Sequence, residues 1–524
     1  MNHLSIPAIA PGKEARPRTR RSLWAIPVMA ALILRPSTAA QALVQIDVNA
    51  SRVIHTMAGG AGASWHAMGP AAYWYKDLNR NNRNSRGSGW GGNPPLEYKA
   101  AWDDLRRHAR WLGLDFIRVE VSMRMYEPER GRFDWDNDEM RTLYKILDIC
   151  KELHTDVFLT EMWQDVDWNA FPAAGRLQSA PRSVPDFAVG VGALLEHLVK
   201  DRGYNSIRWF CITNEPGMDW GWWNGPDGRA TTIIPALHAV RSELDRRGLS
   251  GVALSGPDWS LYDQHPEFNF DDKSLGAHDA HDYSFTADAG MERLWADRAH
   301  ARRIPFFLSE FGSSAGGEPS NDPTTRSPAS YANQLVNAEK VIDGLNAGVD
   351  GFNRWSFTNR GDLDGAWQLV RTFDSQKWDY FKRVTPEPVP YYSYGILTRF
   401  MASHSAVLET RGQEAGITAA ALRSPKGNLT IYVLNHSGAT RQLNIAVSGL
   451  QGTRTLHKYQ VEAGPVGKPG YRMNPLRLFR ISPESGQVSD ELPGQSITVY
   501  STYKLMEDDP GITVEGATKV TNSQ

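Results

Sequence analysis

Arg208–Trp223 reads RWFCITNEPGMDWGWW, a run of bulky apolar residues that ends in an amide, a carboxylate and a proline and then enters a segment with three tryptophans. A β-rich run that ends at Pro216 is a strand that stops, because proline has no N–H to give to a ladder. Extended back to Ile207, IRWFCITNE (207–215) is one of eight such runs between Ser51 and about His404. The others are MAGGAGAS (57–64), FIRVEVS (116–122), DVFLTEMW (156–163), GVALSGPD (251–258), LGAHDAHDY (275–283), IPFFLSE (304–310) and GFNRWSF (351–357). Helical stretches separate them. Met140, Leu143, Leu147 and Cys150 share one helical face, opened by Asp136 and Glu139 in capping-box spacing. Ser183 opens the next helix, with Pro185 in its first turn. Eight strands alternating with helices predict an α/β fold, the closed (β/α)8 barrel. An open doubly wound sheet would need a phosphate-binding glycine loop after its first strand, and AGGAGAS has neither the spacing nor the helix start.

After about residue 404 the texture changes to short alternating segments: GITAAALR, NLTIYVLNHS, RQLNIAVSG, TLHKYQVE and SITVYSTYK. Their spacing predicts an accessory C-terminal β-sandwich. The expected division is a signal peptide over 1–42, a strand joining the sandwich over 43–51, the barrel over 52–404, the sandwich over 405–505 and a polar tail over 506–524. The signal peptide rests on a basic n-region with Arg20 and Arg21, an apolar stretch from Leu23 to Leu34 and the small-residue site Ala40-Gln41-Ala42. The apolar stretch falls short of the roughly 20 residues that span a bilayer, so the expectation is export to a periplasmic or extracellular space without stable membrane insertion.

Composition narrows the partners. The 57 Lys and Arg nearly balance the 59 Asp and Glu, so no global field points to nucleic acid or to an anionic membrane. Two cysteines, Cys150 and Cys211, make no disulfide framework; one falls on an apolar helix face and the other in a strand, where buried thiols are expected. The 18 tryptophans serve equally as core filler and as platforms for sugar rings.

In a barrel of this kind, chemistry sits at the carboxyl ends of the strands. The fourth run ends in Asn214-Glu215-Pro216 and the seventh in Ser309-Glu310-Phe311-Gly312, so two carboxylates face one mouth. Cleaving an acetal needs such a pair: one acid to protonate the leaving oxygen, and one carboxylate to attack the anomeric carbon or activate water. The partner implied is an oligo- or polysaccharide, and neither a cofactor nor a metal is called for.

With these residues in place the chain resembles the large clan of retaining β-glycosidases whose acid/base follows the fourth barrel strand and whose nucleophile follows the seventh. The resemblance implies that Glu215 is the acid/base, that Asn214 binds the sugar 2-hydroxyl and that Glu310 is the nucleophile. Arg118 matches the arginine that supports the nucleophile. His281 and Tyr283 match a His-x-Tyr element whose tyrosine hydroxyl bonds the nucleophile, and Trp355 matches the tryptophan that floors the sugar subsite. Glu127-Pro128-x-x-Gly131 also resembles a stretch that follows the second strand in several of these families. The trailing sandwich makes families thirty, thirty-nine and fifty-one closer models than single-domain members of family five. The contexts SEFGSSAGG and AWQLVRT match none of them.

Further candidates come from loops. Trp220, Trp222 and Trp223, with Trp163 from the third run, are placed around the cleft, against the alternative that they fold back on the rim. Lys76, Arg80, Arg83 and Arg86 in the loop after the first run would steer an acidic sugar or form a solvated basic loop. HDAHD (278–282) with Glu161, Asp165 and Asp167 offers the ligand types of a metal-dependent hydrolase, although no His-x-His follows the first run. A sugar-binding barrel without activity is the non-enzymatic alternative, and the presence of both carboxylates speaks against it.

Overall fold

A computed structural model of the chain describes residues 43–67, 92–217, 221–262, 272–313, 328–358, 367–374, 379–468 and 470–505. The eight runs form a closed parallel barrel of β2 (Gly60–His66), β3 (Phe116–Ser122), β4 (Asp156–Trp163), β5 (Ile207–Cys211), β6 (Ala253–Ser260), β7 (Leu275–Asp282), β8 (Phe306–Phe311) and β9 (Gly351–Arg354). Each strand pairs with the next, and β9 closes on β2 through Gly60 opposite Gly351. The fourth barrel strand, β5, stops at Cys211, earlier than expected, and Glu215 beyond it adopts a left-handed φ of 43° that an extended ladder cannot contain.

Side chains alternate across each strand, so every second residue points into the barrel. At its floor Phe116, Phe158, Cys211, Ala277 and Phe307 pack together with Trp209 against them. The Phe307 ring lies 4.8 Å from Trp209 and 5.7 Å from Phe116. Two residues further along the same strands come Arg118, Asp279 and Ser309, so the polar layer stands on an aromatic plug.

The helices obey their caps with one correction. Asn137, not Asp136, caps the helix Asp138–Leu153, its side chain accepting from the backbone of Glu139 and Met140. Glu139 then falls at the second helical position instead of the third, so it completes no capping box, and its carboxylate takes the Arg124 guanidinium at 2.8 Å. A cap of this type contributes about 1 kcal/mol. Ser183 caps the helix Val184–Glu196 as expected, accepting from Asp186 N.

The remaining strands are β1 (Leu43–Thr56), a hairpin of β10 (Val370–Asp374) and β11 (Asp379–Pro386), then β12 (Ala406–Arg411), β13 (Ile417–Arg423), β14 (Leu429–Asn435), β15 (Arg441–Ser448), β16 (Arg454–Glu462), β17 (Arg477–Ile481), β18 (Gln487–Leu492) and β19 (Ser496–Ser501). Nine of them form one sheet in the order β17-β16-β19-β14-β13-β12-β1-β15-β18. Val44, Ile46, Leu408, Ile431, Ile445, Leu456 and Val488 share one apolar core, which folds the sheet on itself as a sandwich. β1 joins it as expected, parallel to β15 and antiparallel to β12, but runs on to Thr56, past the boundary expected at residue 51. The opposite face of β14 and β19, with Tyr432 and Val499, belongs to the main core of the barrel.

Cys150 and Cys211 are both buried free thiols. Among the described residues no helix is long and apolar enough to cross a membrane. The expected signal peptide, the polar tail, Trp220 and the basic residues Lys76, Arg80, Arg83 and Arg86 lie outside the described residues.

Candidate active site

The site is built on the inward positions of β3, β7 and β8, on the irregular C-terminal half of β6 and on the loop after β5. Arg118 stands two residues above Phe116 on β3 and is completely buried. One terminal nitrogen donates to Glu120 and, at 2.5 Å, to Glu310. The other donates to Asn214 at 2.8 Å and to Asp258 at 2.5 Å. A guanidinium has five N–H groups, and four of them are committed here in one plane to residues from four different strands and loops.

Glu310 reaches the site through an irregularity in β8. Pairing with β7 slips between Ala280 and His281, and pairing with β9 slips between Leu308 and Phe311. The slip lets two consecutive residues face inward. Ser309 donates to Asp258 at 2.8 Å, while Glu310 accepts from Arg118 on one oxygen and from the Tyr283 hydroxyl, at 2.7 Å, on the other. Burial pushes the Glu310 carboxyl up to about 8, with His281 and Arg118 pulling the other way. Burial and the Glu310 charge also raise the Tyr283 phenol, which therefore keeps its proton and remains a donor.

Asp258 is the second hub, and the sequence reading assigned it no role. It sits at φ 59°, and its backbone ties two neighbours together: its carbonyl accepts from Glu215 N at 3.0 Å, and its N–H donates to Asp279 at 2.6 Å. Left-handed backbone at Glu215 and Asp258 costs on the order of 1–3 kcal/mol per residue and persists only where the surroundings over-determine it. Burial alone would raise the Asp258 carboxyl, but Arg118 and His281 outweigh it and hold it at about 2. Asp279 beneath it is pushed up to about 7 by burial and by the Asp258 charge.

His281 bridges the carboxylates. Its Nδ1 lies 2.8 Å from Glu215 and 3.6 Å from Glu310, and its Nε2 lies 3.0 Å from Asp258. With a carboxyl oxygen of Glu215 at one nitrogen and of Asp258 at the other, the ring is favoured in its imidazolium form, which donates from both. Burial opposes that charge, yet Glu310 and Asp258 raise the ring well above its ordinary value. A further pair lies beside them: His66 at the end of β2 meets Glu120 at 2.8 Å.

Trp355, Trp367 and Tyr283 form a small aromatic cluster of their own, with Trp355 and Trp367 only 6% and 7% exposed. Trp367 lies edge-on to Tyr283 at 5.5 Å. A Cβ added at Gly312 would meet the Trp367 ring at 2.7 Å, which explains the glycine two residues after Glu310. Trp367 was quoted in AWQLVRT without a role, since nothing local to that segment shows that it folds back beside the seventh strand.

The other described tryptophans expected around the cleft are core residues. Trp223, 1% exposed, packs on Trp222 at 4.7 Å and on Phe187 at 5.9 Å, and its Nε1 donates to Thr232 O. It and Trp222 belong to the main core, so the expectation that they line the cleft is corrected: their large apolar area is buried against the helix Val184–Glu196. Trp163 ends β4 and is also a core residue.

The imagined metal cluster is taken apart by strand alternation. His278 faces outward to Arg302 and Asp282 to Lys340, while Asp279 and His281 face inward. Glu161 takes the Tyr126 hydroxyl, and Asp165 takes Arg124 and Arg176. Two other groups, Glu215 with His281 and Glu310, and Cys211 with Asp258 and Asp279, have donor atoms close enough to share a cation. Their chemistry does not suit one: the imidazolium has no free lone pair, and Asp258 already takes Arg118, His281 and Ser309.

A closed parallel barrel with two glutamates at the carboxyl ends of its fourth and seventh strands, bound to one arginine–histidine–aspartate network, defines the protein as a glycoside hydrolase. The chain belongs to the cellulase family, glycosyl hydrolase family 5, whose model matches residues 76–346. No curated protein matches the sequence. Solved structures share the fold at low identity. The glycoside hydrolase family 30 subfamily 8 xylanase Xyn30A from Clostridium acetobutylicum is 16% identical with a TM-score of 0.56, over 87% of this chain and 99% of that one. The endo-beta1,6-glucanase BT3312 is 13% identical with a TM-score of 0.58, over 88% and 94%. The alpha-L-arabinofuranosidase from Thermotoga maritima, in an arabinose complex, is 13% identical with a TM-score of 0.52, over 87% and 99%.

Proposed function

We propose that the protein is an exported glycoside hydrolase that cleaves β-linked glycans by double displacement with net retention. One observation carries the mechanism: an oxygen of Glu215, an oxygen of Glu310 and a ring nitrogen of His281 lie within 4.8 Å of one another. Retaining enzymes hold their carboxyl groups roughly 5–5.5 Å apart, whereas inverting enzymes leave about 6.5–9.5 Å for a water. The close pair therefore favours direct attack by a carboxylate.

Glu310 attacks the anomeric carbon as the glycosidic C–O bond breaks, and Glu215 gives its proton to the leaving oxygen. An ester joins Glu310 to the sugar. A water that loses its proton to Glu215 then attacks the same carbon, the ester C–O bond breaks, and the hemiacetal leaves with its original configuration. Arg118 and Tyr283, one on each oxygen of Glu310, orient the carboxylate for attack and for departure. His281 and Asp258 hold Glu215 against the same network, and Trp355 with Trp367 supplies the aromatic surface for the sugar.

Export is supported by the basic and apolar N-terminal segment with its small-residue site, and it implies a glycan outside the cytoplasm. The test is the first-formed anomer, followed by NMR, on a panel of β-linked polysaccharides and aryl glycosides. Retained configuration is expected, and inverted products would end the proposal. In Glu215→Ala, azide should restore turnover of aryl glycosides with good leaving groups and yield the β-glycosyl azide, since azide needs no general base. A variant that azide does not rescue contradicts the role of Glu215.

A further inference from the structure

Lys340 lies in the middle of the helix Tyr331–Ala347 and is completely buried behind the sixth and seventh barrel strands. Its Nζ donates to three backbone carbonyls: Asp282 at 3.0 Å, Ser284 at 2.9 Å and Gly312 at 3.0 Å. It also pairs with the Asp282 carboxylate at 3.0 Å. An ammonium carries three N–H donors and no acceptor, so this environment of four oxygens suits a lysine and no apolar residue.

The position of those carbonyls is what matters. Asp282 and Ser284 bracket Tyr283, and Gly312 lies two residues past Glu310. The ladder between β7 and β8 pairs His281 with Glu310 and ends at Asp282 opposite Phe311, so Tyr283 and Gly312 lie just beyond its last pair. One cation bonds to both segments at that point.

We propose that Lys340 is a positioning residue for the reaction: by tying together the ends of the sixth and seventh strands, it holds the Tyr283 hydroxyl at hydrogen-bonding distance from Glu310. The proposal rests on Glu310 being the nucleophile. Placing a cation here is costly, since burial pushes the Lys340 ammonium down from its usual range and only Asp282 and Glu292 pull it back. Glu292 is fully buried beside it, with no hydrogen-bond partner for either oxygen, and burial raises it well above the carboxylate range, so it adds no full counter-charge. A methionine would fill the same space without desolvating a cation, but it would leave the buried Asp282 carboxylate without its partner and would lack the hold on three carbonyls.

The experiment compares Lys340→Met, Lys340→Arg, Tyr283→Phe, the Lys340→Met/Tyr283→Phe double variant and Glu310→Gln. The substrate is the aryl glycoside that the wild type turns over fastest, with rates taken per folded molecule by circular dichroism. Lys340→Met should lose about 10- to 100-fold in kcat, the scale of a misplacement of reacting groups, with KM within about threefold of wild type. Lys340→Arg should recover most of the loss. The double variant should be no slower than the slower single variant, because the lysine acts through the tyrosine. Wild-type kcat in Lys340→Met, or losses that multiply in the double variant, would overturn the proposal. If Lys340→Met does not fold, Lys340→Gln, whose amide donors fall one atom short, is read by the same criteria. A Glu310→Gln variant that stays active overturns the nucleophile reading and this proposal with it; an inactive Glu310→Gln beside a fully active Lys340→Met overturns this proposal alone.

Discussion

Replacing Glu310 with glutamine is expected to lower kcat by about 10^4-fold or more while leaving the fold intact. The amide oxygen can still accept from Arg118, and the Tyr283 hydroxyl can rotate to accept from the amide nitrogen, so the local bonds survive in altered form. What is lost is the negative charge that, in the proposed mechanism, attacks the anomeric carbon. Steady-state rates on the best substrate of the panel, set beside thermal melting of both proteins, check the prediction. More than a tenth of wild-type kcat in a folded variant would remove Glu310 from the nucleophile's role.

Arg118→Met is expected to produce the second large effect, on stability and on pH dependence together. The guanidinium is shared by Glu120, Asp258 and Glu310, all buried, and its loss leaves three carboxylates without their common cation. Removing one partner of a buried pair costs about 3–5 kcal/mol. The sign with pH follows from the shifts. In the wild type Asp258 sits at about 2, below its unfolded value of roughly 3.9, so its contribution is complete above that value and is lost as the pH falls toward 2. Glu310 sits at about 8, above its unfolded value, so its burial weakens the fold increasingly as the pH rises from about 4.3 to 8.

Without Arg118 all three carboxyls move upward, and the variant becomes the protein whose stability falls with rising pH. The gap in melting temperature between wild type and Arg118→Met should therefore be wider at pH 8 than at pH 5. The acidic limb of kcat/KM should also move to higher pH, because Glu310 loses a cation that favours its ionised form. A gap that narrows with rising pH, or an acidic limb that stays in place, contradicts this account.

The same residues show how much could be read without coordinates. The eight strands were legible because β-rich runs alternating with helices bury both faces of a parallel sheet, and eight of them without a phosphate-binding glycine loop point to closure rather than to an open sheet. Glu215 and Glu310 were legible because strand ends in such a barrel converge on one mouth. Arg118, His281 and Tyr283 were legible by resemblance, and alternation along β3 and β7 agrees with them: they lie two, four and six residues beyond the inward-facing Phe116 and Ala277.

The remainder depended on where distant segments meet. Asp258 became a hub because its carboxylate meets an arginine 140 residues earlier, a contact with no local signature. Two consecutive inward residues at Ser309 and Glu310 break the period of two, and only the slipped pairing of β8 reveals that. Trp222 and Trp223 read as cleft residues in a sequence that continues from a catalytic strand, yet their burial against Phe187 decides otherwise. Trp367 reaches Tyr283, and Lys340 the backbone on either side of it, from segments that follow the seventh strand by tens of residues. The sequence by itself thus determined the barrel, the sheet that follows it and the two carboxylates, since periodicity and strand ends are local properties of a chain. Only the tertiary structure decided which side chains surround those carboxylates and set their charge, because hydrogen bonds and burial act through space between residues that the chain keeps far apart.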